Sequence, residues 1–220
     1  MKKKLLVLGL CVALAAIAIA GASLAYFTDT KSATNTFTVG DVKIKLDESN
    51  VNDPDGDRVT SNEYTGVFPG IQYKKDPVVT NTGKNDAYVR AVVTIENGMN
   101  WLGLYNENVW TAPQAEAFMN LICNKLGDGW SLEDYDYVTN AERGSTDFVA
   151  VLKFDGVLAA GKPTTAMFEN IMLPTNATAN DIATRVAQNG VFHIDVVAQA
   201  IQTEGFATWD AAFKAFDAQK

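Results

Sequence analysis

Short stretches in which apolar and polar residues alternate recur along the chain, separated by turn residues. A period of two places every second side chain on the same face of a strand. Gly, Pro, Asn and Asp, which lie between the stretches, are the residues that turns prefer. The pattern predicts a mainly β fold, a β-sandwich, in which helices are inserts. The predicted strands are residues 37–39, 42–46, 77–80, 88–95, 147–154, 165–173 and 191–201.

Three segments have helical periodicity instead. Apolar residues recur at steps of three and four over residues 115–126, after a Thr111-Ala-Pro113 start and before Gly127. This predicts a helical insert around residues 97–140, with Cys123 buried on the helix as a core residue. A short helix is predicted at residues 180–189 and a terminal one at residues 208–216, capped by Thr208.

The first 25 residues have the three parts of a secretory leader. Three lysines precede an uncharged apolar run at residues 5–20, and the small residues Ser23 and Ala25 precede Tyr26. We therefore expect cleavage between Ala25 and Tyr26, which leaves residues 26–220 as a single secreted domain. The alternative is an uncleaved membrane anchor, because the run approaches the length that spans a bilayer. Lipidation of Cys11 is disfavoured, since Leu10 stands where a small residue is needed.

Charge and cysteine content restrict the partners and the compartment. Loss of the three leader lysines leaves 15 basic against 26 acidic residues, so the net charge changes from −8 to about −11. Nucleic acid and anionic lipid are disfavoured as partners, because both bind cationic surfaces. Contact with the membrane is expected only through the leader before cleavage. The mature chain keeps one cysteine, so no intramolecular disulfide can form.

The residues around the predicted cleavage site resemble a known family. Ala25-Tyr-Phe-Thr-Asp29, followed by Ala33-Thr-Asn-Thr-Phe-Thr-Val-Gly40, is similar to the start of TasA/camelysin proteins. Looser similarity continues downstream, whereas residues 97–140 have no clear counterpart. The downstream matches are Phe68-Pro-Gly70, Val79-Thr-Asn-Thr-Gly83, Ala87-Tyr-Val-Arg90 and Ala198-Gln-Ala-Ile-Gln202.

The resemblance implies a jelly-roll-like sandwich that is processed by a SipW-type signal peptidase and exported to the cell surface or extracellular matrix. For the TasA branch it also implies a homopolymeric biofilm fibre built by donor-strand exchange, together with accessory matrix subunits. In such an exchange an extended N-terminal arm pairs with an open sheet edge of the next molecule. The candidate anchoring side chains are Tyr26, Phe27, Phe37 and Val39. Alternatively, the arm is the first strand of its own domain and the protein stays monomeric.

We do not expect these residues to catalyse a reaction or to bind a cofactor. The camelysin side of the family has been described as metallopeptidase-like, but zinc proteases of the His-Glu-x-x-His kind need two imidazoles. This chain has only His193, which shares a predicted strand face with Asp195 and could pair with it. The competing functions are therefore a monomeric adhesin or carbohydrate-binding module that uses Trp101, Trp110 or Trp130, and, less favoured, a camelysin-like metallopeptidase.

One acidic loop has carboxylates at alternate positions, as calcium loops do. These are Asp53, Asp55 and Asp57, but Arg58 and Tyr64 stand where an EF-hand needs Gly and Glu. A solvated turn is the preferred interpretation and calcium binding the weaker one. The acidic residues Asp47, Glu48, Asp134 and Asp136 are likewise expected to be solvated rather than ligands.

Overall fold

The structure is a computed structural model that describes residues 28–30, 41–100, 119–120, 122–123, 125–142, 144–175, 177–183 and 192–219. The leader, the cleavage site, the arm residues Tyr26, Phe27, Phe37 and Val39, and the residues Trp101 and Trp110 lie outside this part of the chain. So do the strand predicted at residues 37–39, half of the helix predicted at residues 115–126 and most of the helix predicted at residues 180–189.

The largest element is a five-stranded antiparallel sheet in the order β1-β9-β5-β7-β6. Its strands are β1 (Thr28–Thr30), β5 (Ala87–Ile95), β6 (Trp130–Asn140), β7 (Ser145–Phe154) and β9 (Ile194–Gln202). Two smaller sheets pair β2 (Ile44–Asp47) with β4 (Val78–Asn81), and β3 (Gln72–Lys74) with β8 (Asn170–Met172). Two helices have both ends described, α1 (Ala179–Asp181) and α2 (Trp209–Asp217). The fold is thus a mainly β sandwich with a short C-terminal helix, as predicted.

The main core lies between the five-stranded sheet and the two small sheets. On β5, Ala87, Val89, Ala91, Val93 and Ile95 are fully buried, whereas the residues between them point to the other face. Side chains from β2, β4 and β8 complete the same cluster from the opposite layer; they include Ile44, Val79 and Ile171. The alternation in the sequence therefore marks the buried face, because opposite faces of a strand meet different environments.

Three strands, β1, β3 and β6, are not among the strands predicted from alternation, and a fourth is shorter than predicted. β6 occupies the end of the region expected to hold a helical insert, and its pairing with β7 shifts register between Leu132 and Asp134. Such an irregularity breaks the alternation that identifies a strand in a sequence. The short strand β3 was also missed, and the strand predicted at residues 165–173 is reduced to β8.

The predicted helical insert is partly described. Residues 119–120 and 122–123 are helical, and Met119, Ile122 and Cys123 lie in the core. Burial raises the pKa of the Cys123 thiol well above its usual range. Cys123 is therefore a buried core residue, which confirms the prediction. Within the described residues, no helix is long and apolar enough to cross a membrane.

Helix α2 covers part of the outer face of the large sheet. Thr208 caps it, since its side-chain oxygen accepts a hydrogen bond from the amide of Ala211. The helix buries Trp209, Ala212, Phe213 and Phe216 in a second, smaller core that includes Ile201. The indole nitrogen of Trp209 donates to the carbonyl of Val89, 2.9 Å away. The terminal helix predicted from residues 208–216 is confirmed.

Arg90 holds α2 to the sheet. Its guanidinium makes two hydrogen bonds to the Asp217 carboxylate (2.8 and 2.5 Å), and its Nε donates to Gln199 at 2.6 Å. The same guanidinium lies over the rings of Phe213 and Phe216. The Arg90 side chain is only 9% exposed, so water compensates little for the loss of these contacts.

We expect Arg90→Met to lower the free energy of unfolding by about 2–3 kcal/mol, from one charged hydrogen-bond pair and one cation–π contact. Asp217→Asn is the matched control. It should cost about 1 kcal/mol, because Asp217 is 48% exposed and Arg90 keeps its other partners. Urea unfolding measures both values, and equal losses would contradict the role given to the aromatic rings and Gln199.

Candidate strand-binding groove

Strand β9 is paired along its whole length on one side and only partly on the other. All nine of its residues pair with β5, from Ile194 opposite Ile95 to Gln202 opposite Ala87. On its other side β1 pairs with residues 199–201 alone, with Thr28 opposite Ile201 and Thr30 opposite Gln199. Within the described part of the chain, no strand pairs with this side of residues 194–198. This open edge can accept another strand.

A groove of about 1140 Å³ runs along this open edge. Residues 192–197 form one wall, and residues 60–67 form part of the opposite wall. The volume exceeds the range of about 300–1,000 Å³ that is common for small-molecule sites, and suits an extended peptide. Apolar side chains line much of the groove, among them Leu46, Val67, Pro77, Ile171, Phe192, Ile194 and Val196.

Two tyrosines and an asparagine position the opposite wall. The hydroxyl of Tyr64 donates to the carbonyl of Lys74, and its ring meets the Tyr73 ring edge to face at 6.1 Å. The Asn62 amide donates to the carbonyl of Ser49 and accepts from the amide of Val51. Burial raises the pKa of Tyr64 far above its usual value, and the charges of Glu48 and Asp76 raise it further. Tyr64 is therefore a neutral hydrogen-bond donor at physiological pH.

Arg58, which precedes this wall in the chain, bonds to Asp47 at the end of β2 and to Asp76 just before β4. Its Nε lies 2.6 Å from an Asp47 carboxylate oxygen, and its Nη2 donates to the carbonyl of Asp76 at 2.7 Å. Ser49 donates to the Asp76 carboxylate through both its amide and its hydroxyl, each at 2.7 Å. Asp47 and Glu48 are buried, so the expectation that both are solvated surface charges was wrong. Each carboxylate has a cationic partner, which for Glu48 is Lys75 at 3.0 Å.

The hydrogen bonds around Asp47 and Asp76 outweigh the effect of burial on both carboxyl groups. Burial alone would raise the pKa of Asp76, but the bonds from Ser49 and the charge of Arg58 hold it below the usual value. For Asp47, burial is likewise opposed by hydrogen bonds from Lys45 and Arg58, and the pKa is lowered. Both groups therefore stabilise the fold when they are ionised.

We expect Asp76→Asn to weaken the dependence of stability on pH below about pH 4. Because the folded pKa of Asp76 lies under the unfolded value of about 3.9, its contribution is complete above that value and is lost as the pH falls through the folded pKa. The variant should lose about 1–2 kcal/mol at pH 7 and little at pH 2. Urea unfolding from pH 7 to pH 2 measures this.

The exposed Asp55 provides the matched control for that experiment. Asp55→Asn removes a carboxylate of the same type from the loop between β2 and β3, where it makes no hydrogen bond with Arg58. It should follow the wild-type curve at every pH. If Asp55→Asn flattened the curve as much as Asp76→Asn, total charge and not the Arg58 contacts would govern the acid sensitivity.

His193 borders the groove, and its carboxylate partner is Glu96, not Asp195. Its Nδ1 lies 2.6 Å from Glu96 Oε2, and its amide donates to the same oxygen at 2.9 Å. The possible pairing of His193 with Asp195 was therefore wrong. Glu96 is buried directly after β5, and its carboxylate binds His193, the residue before β9. The partner could not be found from the sequence, since 97 positions separate the two residues.

The other candidate ligands do not assemble into a metal centre. No group of three His, Cys, Asp or Glu residues suited to hold a metal ion occurs among the described residues, which include Asp53, Asp55 and Asp57. Trp130 is buried, packs on the ring of Phe154 and donates to the carbonyl of Thr165. Trp130 therefore packs in the core, and its burial leaves little of the ring exposed for the ligand contact that the adhesin alternative would need.

Residues 1–85 match a family model described as camelysin metallo-endopeptidase. The N-terminal part of the chain is camelysin-like. This confirms the predicted resemblance for the leader, the arm and the elements from β2 to β4. Comparisons with curated proteins and with solved structures gave no match. The camelysin-like part supplies residues 60–67 of the groove, whereas β9 lies outside it.

The camelysin description implies a metal, and the described residues do not fit one. The single histidine of the chain is paired with Glu96, and no third candidate ligand joins them among the described residues. Zinc centres in proteases use at least three protein ligands, usually with two histidines. No catalytic step through a metal can therefore be derived from these residues.

Proposed function

We propose that the protein is a secreted structural subunit of a cell-surface or matrix fibre, assembled by donor-strand exchange. The observation that carries the proposal is the open edge of β9, which borders an apolar groove beside a three-residue β1. The incoming strand is the N-terminal arm of a neighbouring molecule, which contains Tyr26, Phe27, Phe37 and Val39.

Both components of strand binding are available in the groove. In an antiparallel ladder the backbone groups of successive residues point alternately to the two sides. His193 accepts from the amide of Glu96 on β5, so the N–H and C=O of Ile194, Val196 and Ala198 point to the open side. The apolar walls can hold alternate side chains of the incoming strand. Backbone pairing supplies affinity, and these side chains supply specificity.

The leader controls when assembly starts. Until a SipW-type signal peptidase cleaves between Ala25 and Tyr26, the leader keeps the arm at the membrane, and subunits stay apart. After cleavage the arm is free on a strongly acidic chain with no affinity for nucleic acid. The resulting homopolymer lies in the extracellular matrix or on the cell surface, where accessory subunits join it. No catalytic step and no cofactor take part.

Electron microscopy and light scattering of purified protein that starts at Tyr26 test the proposal. Fibres are expected, and a variant that starts at Asp41 should give none while it remains folded by circular dichroism. A synthetic peptide of residues 26–40 should stop the growth of wild-type fibres, because it fills the groove and provides no new groove. The same peptide with Phe37→Ser and Val39→Ser is the matched control and should not stop growth. A wild-type protein that stays monomeric at high concentration would refute the proposal.

A metallopeptidase is the second candidate, and the description of the matched family is the observation that favours it. Hydrolysis of casein by the purified protein, lost with a chelator and restored by zinc, would establish it. His193→Gln is the decisive variant, because His193 is the only histidine. We expect no hydrolysis by wild-type protein. Activity that His193→Gln abolishes would replace the structural function with this one.

A further inference from the structure

The arm has two possible registers on β9, and they place different residues in the groove. Because residues directly opposite in an antiparallel pair share a face, the register decides which arm side chains point inward. Continuation of the β1 register would bring Lys31 opposite Ala198 and Asn35 opposite Ile194. It would also bring Phe37 opposite residue 192 and Val39 opposite residue 190, before β9 begins at Ile194. The β1 register therefore suits the groove poorly.

A register in which the arm is shifted by four residues along β9, relative to the β1 register, gives a better match. It brings Phe37 opposite Val196, Val39 opposite Ile194 and Asn35 opposite Ala198. An even shift keeps the same arm residues on the inner face. A shift of two would leave Val39 opposite residue 192, before β9 begins, and a shift of six would place Phe37 opposite Ala198, which is already only 1% exposed. Among the even shifts up to six, only the shift of four places Phe37 and Val39 opposite the two half-buried apolar groove residues of β9, Val196 and Ile194.

The shifted register is out of reach for a molecule's own arm. Asp41 is fixed by hydrogen bonds with Asn85 and Lys84, next to the β5 end where Ala87 faces Gln202. Ile194 lies at the other end of β9, eight residues and about 27 Å away. The two residues from Val39 to Asp41 can reach only about 7 Å. Val39 can therefore lie opposite Ile194 only when the two belong to different molecules.

We propose that the arm of one molecule binds the groove of the next in this shifted register, with Phe37 and Val39 facing Val196 and Ile194. This inference rests on the proposed strand exchange and specifies its register. The shifted arm covers residues 199–201 as well, where it replaces the molecule's own β1. Each addition thereby releases the arm of the accepting molecule. Assembly propagates in one direction, because the freed arm is the next donor.

Disulfide formation between single-cysteine variants tests the register without changing Phe37 or Val39. Mixed Asn35→Cys and Ala198→Cys proteins, assembled and then oxidised, should give a disulfide-linked dimer on a non-reducing gel. Directly opposite residues have the separation that a disulfide requires. A bond between the two variants can only be intermolecular, and Cys123 is buried and does not compete. The matched control is Lys31→Cys mixed with Ala198→Cys, which should stay monomeric on the gel.

The outcomes separate the register from the proposed function. The shifted register would be overturned if fibres formed and the Lys31 mixture gave a disulfide-linked dimer, either alone or in the same amount as the Asn35 mixture. Strand exchange would remain intact. Fibres without any dimer would place the arm on another edge and overturn the register as well. Absence of fibres from wild-type protein would refute the proposed function itself. Fibres with a dimer from the Asn35 mixture alone support the inference.

Discussion

Phe148→Ala should lower the free energy of unfolding by about 3–5 kcal/mol, the range for removal of a large buried aromatic side chain. Phe148 is fully buried on β7, between the two layers of the sandwich. Its ring packs against Tyr135 and Tyr137 of β6, with centroids 6.2 and 5.5 Å away. The backbone of Gly98 approaches it so closely that a Cβ at Gly98 would lie 2.4 Å from the Phe148 Cβ. Close neighbours on several sides leave little room for the cavity to collapse.

Urea unfolding measures the loss, with Phe68→Ala as the matched control. Phe68 is 64% exposed, so the same substitution there should cost less than about 1 kcal/mol. The contrast separates a general effect of phenylalanine removal from the effect of the core position. A loss below 1 kcal/mol for Phe148→Ala would mean that β6 and β7 do not pack on the core in this way.

The strand content could be predicted because burial repeats with the same period as the strand. On β5 every second residue is fully buried, and on β9 Ala198 and Ala200 continue this face. The order of the strands could not be predicted, because β9 pairs with β5 across about half of the chain. β6 was missed for a local reason: its register shift places Leu132 and Tyr135, three positions apart, against the same core.

The groove was only half predictable from the sequence. The predicted arm is continuous in sequence, so its residue pattern and its leader identify it as a candidate donor. The proposed acceptor groove is assembled from residues far apart, among them Leu46, Tyr64, Ile171 and Val196. Its supporting contacts, such as Arg58 with Asp76 and His193 with Glu96, join polar residues that look like surface charges in a sequence. Burial and partners appear only when the chain is folded.

Gly83→Ala should lower the free energy of unfolding by about 3–5 kcal/mol, from overpacking of about 1–3 kcal/mol and the loss of about two backbone hydrogen bonds. A Cβ at Gly83 would lie 1.9 Å from the carbonyl oxygen of Asp41 and 2.7 Å from the amide of Lys43. Both neighbours are backbone atoms, so no side-chain rotation relieves the clash. The bonds at risk are Lys84 to Asp41 (2.8 Å) and Thr82 to Lys43 (2.8 Å).

The first of these bonds holds Asp41 and the second holds Lys43, two residues further on, where the proposed arm joins the domain. Gly83→Ala therefore tests this attachment as well as the packing. Hydrogen exchange should show faster exchange of the Lys84 and Thr82 amides in the variant, beyond the change in global stability. Gly56→Ala is the matched control: its Cβ would meet the side chain of the exposed Asp53, which can rotate away. It should cost less than about 1 kcal/mol. If the two variants were equally stable, the turn at residues 82–84 would not hold the base of the arm, and the distance argument for exchange between molecules would lose its fixed point.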